Sequence, residues 1–86
     1  MSYSIRIKRN AARELRRVPK PERLRIMQAV DGLRENPLRG GVLKGDLRGL
    51  RRLRVGQYRV VYEVQHTALI VLVVRVAHRR SAHDRR

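Results

Sequence analysis

Arg52, Arg54 and Arg59 lie within the stretch Gly49 to Val64, GLRRLRVGQYRVVYEV, and Arg79 and Arg80 close the next apolar run in Val76-Ala77-His78-Arg79-Arg80. A guanidinium group offers several donors in a fixed fork, which suits it to phosphate. Carried on strands that lie side by side, these groups would converge into a surface for a phosphodiester, most readily that of RNA. RNA supplies its own nucleophile, since the 2′-hydroxyl can attack the adjacent phosphate once it is in line with the leaving 5′-oxygen. The protein must then stabilise charge developing on a phosphorane-like transition state, which arginines do well. It must also move protons, which they do badly, because guanidinium stays protonated. The side chains available for that step are His83, His78, Glu63 and Asp84. His83 is preferred, because imidazole titrates near neutrality, although a solvated tail position accounts for it equally well. Any single arginine is equally explained as a charge guarding an edge strand against aggregation. It is the set of Arg52, Arg54, Arg59 and Arg79 that points to phosphate.

Other chemistries find little support. The chain has no cysteine, so disulfides and thiolate metal sites are excluded. No metal site and no cofactor are expected. Ser81, His83 and Asp84 are nearly contiguous, and proximity in sequence does not make a triad. Glycines surround Lys44, but the phosphate-loop pattern G-x4-G-K-[ST] is absent and a turn-rich connector is the expectation.

The chain has 86 residues and a formal net charge of +15, from 22 cations against 7 anions, and 19 of the cations are arginine. Residues 1–47 carry 12 cations and 5 anions (+7) and residues 48–86 carry 10 and 2 (+8), so the charge is no separate basic tail. Such a surface attracts polyanions, either nucleic acid or an acidic protein. The length allows one domain, 1–86. With three tyrosines, no phenylalanine and no tryptophan, its core must rest on Val, Leu and Ile. The N-terminal residues lack the apolar stretch of a signal peptide. The longest apolar run, Ala68 to Val74, falls far short of the roughly 20 residues that span a bilayer. A soluble, cytoplasmic protein is expected.

The elements that would position the arginines follow from periodicity. Tyr3 to Lys8 alternates as a half-buried strand. Asn10 is placed to cap a helix over Ala11 to Val18. Pro19-Lys20-Pro21 separates it from a second helix, which reaches about Glu35 with Leu24, Ile26, Met27, Ala29, Val30 and Leu33 in its apolar stripe. Leu50 to Val55 and Tyr58 to Val64 form a hairpin turning at Gly56-Gln57. Ala68 to Ala77 is a last strand, apolar on both faces, with one face free to be covered or to floor a binding site. The order strand, helix, helix, strand, strand, strand implies an α+β domain: a small, antiparallel-rich sheet of about four strands packed against two N-terminal helices, with a short C-terminal extension. Within the hairpin, alternation puts Arg52 and Arg54 on one face and Arg51, Leu53 and Val55 on the other. It likewise sets Arg59, Val61 and Glu63 opposite Tyr58, Val60 and Tyr62.

Over nearly its whole length the chain resembles the RelE/ParE toxin superfamily, and most closely its RelE-like branch. The resemblance is carried by Ala12-Arg13-Glu14-Leu15, Pro19, Glu35-Asn36-Pro37 and Leu43-Lys44-Gly45-Asp46-Leu47-Arg48-Gly49-Leu50. It is carried above all by Arg54-Val55-Gly56-Gln57-Tyr58-Arg59-Val60-Val61-Tyr62 and Val76-Ala77-His78-Arg79-Arg80. It implies the toxin of a type II toxin–antitoxin pair: a metal-independent, ribosome-dependent endoribonuclease that cuts mRNA in the A site. The family's basic positions fall on Arg52 and Arg54, its phosphate-binding arginines on Arg59 and Arg79. Lys44, Arg48, Arg51 and Arg80 would hold RNA around them. His83 stands where the family often has a tyrosine, and Arg51 where an aromatic is usual. The implied partners are an acidic antitoxin, mRNA and the ribosome, with operator DNA reached only through the antitoxin. A ParE-like poison of DNA gyrase shares the scaffold without needing the arginine cluster, and an inactive nucleic-acid-binding member is a third reading.

Overall fold

The computed structural model describes residues 2–45 and 49–80. Its elements in chain order are β1 (Ser4–Ile7), α1 (Arg9–Arg16), α2 (Lys20–Asp31), a 3-10 turn (Gly32–Arg34), β2 (Gly41–Val42), β3 (Leu50–Val55), β4 (Tyr58–Gln65) and β5 (Ile70–His78). Five strands form one sheet in the order β1-β5-β4-β3-β2, one more than the four expected. The extra strand is the two-residue β2, antiparallel to β3 at Gly41↔Arg52 and Val42↔Arg51. The sheet is mixed, since β1 runs parallel to β5 while β5, β4, β3 and β2 pair antiparallel.

One face of the sheet carries the core. Leu53, Val60, Tyr62, Val71, Val73 and Val76 are buried there with Ala11, Val18, Ile26, Val30 and Leu33 of the helical layer. The apolar stripe expected on α2 is wider than the surface it meets. Ile26, Val30 and Leu33 are buried, whereas Leu24 and Met27 are each 50% exposed. The helix also ends earlier than about Glu35, because after Asp31 the chain tightens into the 3-10 turn. The last strand starts at Ile70 rather than Ala68, since Leu69 takes a left-handed φ of 57° that interrupts extended backbone.

α1 spans Arg9–Arg16 rather than Ala11 to Val18, and Asn10 does not cap it. Its N-cap is Lys8, with no side-chain cap hydrogen bond. The Asn10 side chain donates to the Val74 carbonyl at 3.0 Å. Glu14 accepts from the Val76 amide at 2.8 Å and from Arg75 Nε at 2.9 Å. Both residues serve a β-bulge. Val61 pairs with Arg75 and Tyr62 with Val73, leaving Val74 as the extra residue of β5. A bulge frees backbone groups from the ladder, and α1 satisfies two of them. Glu14→Ala should therefore destabilise the domain by about 1–3 kcal/mol, most of it from the orphaned Val76 amide. The ion pair with Arg75, whose side chain is 47% exposed, adds little. Urea unfolding of the variant measures the loss, and Glu14→Gln, which keeps an acceptor, should lose less.

Candidate active site

Positioning of the arginines begins at the β3–β4 turn. Gly56 has φ 59°, the left-handed value that a two-residue hairpin accepts when glycine comes first. That turn fixes the register Val55↔Tyr58 and Arg54↔Arg59. Two guanidinium-bearing residues thus face each other across the ladder, an arrangement that opposes folding unless something negative is shared between them. On the next pair outward Arg52 faces Val61. These residues share the face that the helices leave open.

Arg79 reaches this face because of the bulge. Val71 and Val73 point into the core, and strict alternation would send Ala77 and Arg79 the same way. The extra residue at Val74 shifts the phase, so Val76 is buried beside Val60, and Ala77 pairs with Arg59 on the open face. Just beyond the strand the Arg79 amide donates to the Gln57 carbonyl at 2.7 Å, tying it to the hairpin turn. A cleft of about 320 Å³ results, lined by Arg54, Gly56, Arg59, Arg79 and Arg80. Among the described residues no acid lines it. The Nε of Arg59 is buried without a hydrogen-bond partner among the described residues. A buried, charged donor in that condition is costly unless an anion completes its shell.

The other residues singled out from the sequence divide. Arg52 is on the same face as the cleft, one register pair away from its lining. Lys44 is exposed on the connector. Arg51 lies on the opposite face from Arg52, paired with Tyr62, and its Nη1 donates to the carbonyls of Gly40 (2.6 Å) and Leu38 (3.2 Å). It anchors the loop before β2 rather than joining the cluster. Arg48, His83 and Asp84 lie outside the described residues. His78 pairs with Tyr58 on the helix-side face, the two rings meeting edge to face at 5.2 Å, and its Nδ1 accepts from the Arg80 amide. Glu63 sits four residues along β4 from Arg59, roughly 13 Å away on an extended strand, and accepts from Gln65. Neither enters the cleft, so among the described residues its chemistry is electrostatic.

Sequence reasoning missed Tyr62. The side chain is fully buried, and its hydroxyl accepts from the Gly40 amide at 2.9 Å and donates to the Pro37 carbonyl at 2.7 Å. With Arg51 it locks the loop that places β2 against the arginine-bearing β3. A tyrosine on the apolar face of an alternating strand was the available signal, because a buried phenol needs a polar partner.

Comparison with known proteins agrees with this architecture. Residues 5–83 match the family described as ParE toxin of type II toxin-antitoxin system, parDE. The chain is 36% identical over 83 residues to Toxin RelE of Mycobacterium tuberculosis, covering 94% of this chain and 86% of that protein. It is 31% identical over 87 residues to Toxin RelG of the same organism, covering 99% of this chain and all of the relative. Among solved structures, the toxin–antitoxin complex RelBE2 of M. tuberculosis contains a chain that superposes with a TM-score of 0.85 at 30% identity, covering 91% of this chain and 92% of that one.

Proposed function

The chain belongs to the RelE/ParE superfamily of type II toxin–antitoxin toxins as a RelE-like member, and from that membership we propose that it is a ribosome-dependent endoribonuclease. It cleaves mRNA in the ribosomal A site by attack of the 2′-hydroxyl on the adjacent phosphate, in the cytoplasm and without a metal. The observation that carries this reading is the cleft of Arg54, Arg59, Arg79 and Arg80, which among the described residues holds no acid and leaves the buried Nε of Arg59 without a partner. A scissile phosphate seated there separates the facing charges of Arg54 and Arg59 and completes the shell of Arg59. As the pentacoordinate transition state gathers charge on its non-bridging oxygens, the fixed donors bind it more tightly than the ground state. Arg52 holds the backbone of the neighbouring nucleotide, and Lys44, exposed on its connector, follows the strand outward. His83 takes the proton from the 2′-hydroxyl or returns one to the 5′-oxygen. Replacing it with alanine should slow cleavage and flatten the pH–rate profile between about pH 5 and 8. An unchanged profile would remove His83 from the proton path.

Control comes from a small acidic antitoxin bound to the basic surface; that the similar chain of RelBE2 stands in a toxin–antitoxin complex supports an antitoxin partner. A second reading, poisoning of DNA gyrase, follows from the ParE description of the matched family. Inducible expression followed within minutes by primer-extension mapping separates the two. Codon-phased cuts inside translated frames are expected. Growth arrest with intact mRNA and trapped gyrase–DNA complexes would replace the nuclease with the gyrase poison.

A further inference from the structure

Arg79 and Arg80 line the cleft with Arg54 and Arg59, yet both lie beyond the last rung of the sheet. Tyr58↔His78 is the end pair of the β4–β5 ladder, and after His78 the chain leaves the strand for a turn. Two hydrogen bonds hold the departing main chain. The Arg79 amide donates to the Gln57 carbonyl, and the Arg80 amide donates to His78 Nδ1 at 3.2 Å. Among the described residues the Arg80 amide meets no backbone carbonyl. Arg54 and Arg59 repel any further cation, so the free cleft does nothing to draw this segment in. The ring that accepts is itself held: Tyr58, packed against the core, meets it edge to face, with the two planes at 84°. Nδ1 accepts only from a neutral ring that carries its proton on Nε2. Glu14 and Arg75, which with Arg17 line the hollow on this side of the ring, are paired with one another. That hollow therefore offers His78 no free carboxylate as a proton-relay partner. An apolar side chain would suit the packing of this half-buried position, and what imidazole adds is an acceptor.

We propose that His78 is a positioning residue for the phosphate cleft: its ring, oriented by Tyr58, fixes the main chain from which the Arg79 and Arg80 side chains depart. This role rests on the cleft being a phosphate site, as proposed above, and requires neither cleavage nor the ribosome. His78 touches no substrate atom and moves no proton. Its effect is preorganisation, since main-chain order that an anion would otherwise have to impose is already present in the free protein.

Two substitutions separate the acceptor from the ring. His78→Phe keeps the aromatic contact with Tyr58 and loses the acceptor. His78→Asn loses the ring but keeps an acceptor, because an asparagine side chain readily bonds the amide two residues on. The test is titration of inorganic sulfate into the unaltered chain and each variant, with urea unfolding of all three. The part of the binding that Arg59→Ala abolishes is assigned to the cleft. His78→Phe should bind sulfate there about fivefold more weakly, the worth of one neutral hydrogen bond. It should unfold at the same urea concentration as the unaltered chain, since water can serve the exposed Arg80 amide. His78→Asn should bind within about twofold of the unaltered chain while unfolding at lower urea, having lost the contact with Tyr58. Affinity and stability thus part company in opposite senses, which a histidine kept only for packing would not produce. In mildly alkaline buffer the ring nitrogen resonances should show Nε2 protonated and Nδ1 bare. Undiminished sulfate affinity in His78→Phe would overturn the proposal, as would equal losses in the two variants or a proton found on Nδ1. No cleft binding of sulfate by the unaltered chain would remove the phosphate reading and the role of His78 together. The expected pattern in a chain that cuts no mRNA would remove the nuclease and leave that role in place.

Discussion

Replacing Arg59 with alanine is expected to lower the cleavage rate about 10²–10³-fold, the usual consequence of removing one donor aimed at transition-state charge, without weakening the fold. Arg59 faces Arg54 across the β3–β4 ladder and carries a buried Nε with no partner among the described residues. Both features oppose folding of the free protein, so their removal should leave the melting temperature unchanged or raise it. Gain of stability with loss of turnover is the signature of a group kept for its ligand. A second readout needs no substrate. Inorganic sulfate or phosphate that binds the cleft stabilises by mass action, so the melting temperature of the unaltered chain should climb with added sulfate more steeply than that of Arg59→Ala. Arg59→Lys keeps the charge but not the fork and should fall between the two. Full turnover by a folded Arg59→Ala variant would place the chemistry elsewhere on the surface.

The parts legible from sequence were those governed by short-range pattern. Alternation on β3 and β4 assigned Arg52, Arg54 and Arg59 to one face and Leu53, Val60 and Tyr62 to the other, and a two-residue turn at Gly56-Gln57 left one register available. That register makes Arg54 and Arg59 neighbours. Arg79 was a different case. It joins the set as a cation at the end of the last strand, and the resemblance adds a phosphate-binding role, whereas alternation along an uninterrupted β5 would have buried it with Val71 and Val73. The bulge at Val74 reverses the phase, and it exists because β5 is held from outside its own strand, by Asn10 and Glu14 of α1. No window of β5 contains that information. Asn10 departs from expectation for the same reason: its residue type signals a cap, but a free carbonyl sixty-four residues away is the acceptor it meets.

The other discrepancies are also long-range. β2 has two residues, too few to show a period, and it is a strand only because Arg51 and Tyr62 pin the loop before it. In the sequence Arg51 reads as one of the cations that would hold RNA around the cluster. Its place across from Tyr62, under the carbonyls of Leu38 and Gly40, makes it part of the scaffold. Leu24 and Met27 belong to the helical stripe of α2 by spacing, yet the layer beneath covers only the side bearing Ile26, Val30 and Leu33.

The same loop yields the largest expected effect on stability. Gly40 is buried, and a Cβ built there would lie 2.6 Å from the Arg52 carbonyl oxygen and 2.9 Å from the Tyr62 hydroxyl. Its backbone conformation is open to other residues, so the obstacle is space alone. The nearest obstruction is main chain of β3 and cannot swing aside, and the second is a fully buried tyrosine held by two hydrogen bonds. Gly40→Ala should therefore push the loop off the sheet at a cost of about 3 kcal/mol, lowering the melting temperature by roughly 12–24 °C for a domain of this size. Gly41→Ala is the matched control, since a Cβ there meets nothing within 4 Å, and it should melt close to the unaltered chain. Adding Tyr62→Phe to Gly40→Ala removes the hydroxyl but not the Arg52 carbonyl. That double variant should not recover, because it keeps the main-chain clash and leaves the Pro37 carbonyl without its donor. Recovery would mean that the phenol, not β3, sets the spacing. Because Gly41 pairs directly with Arg52, the displacement also reaches the arginine beside the cleft, so Gly40→Ala should lose activity at temperatures where it is still folded.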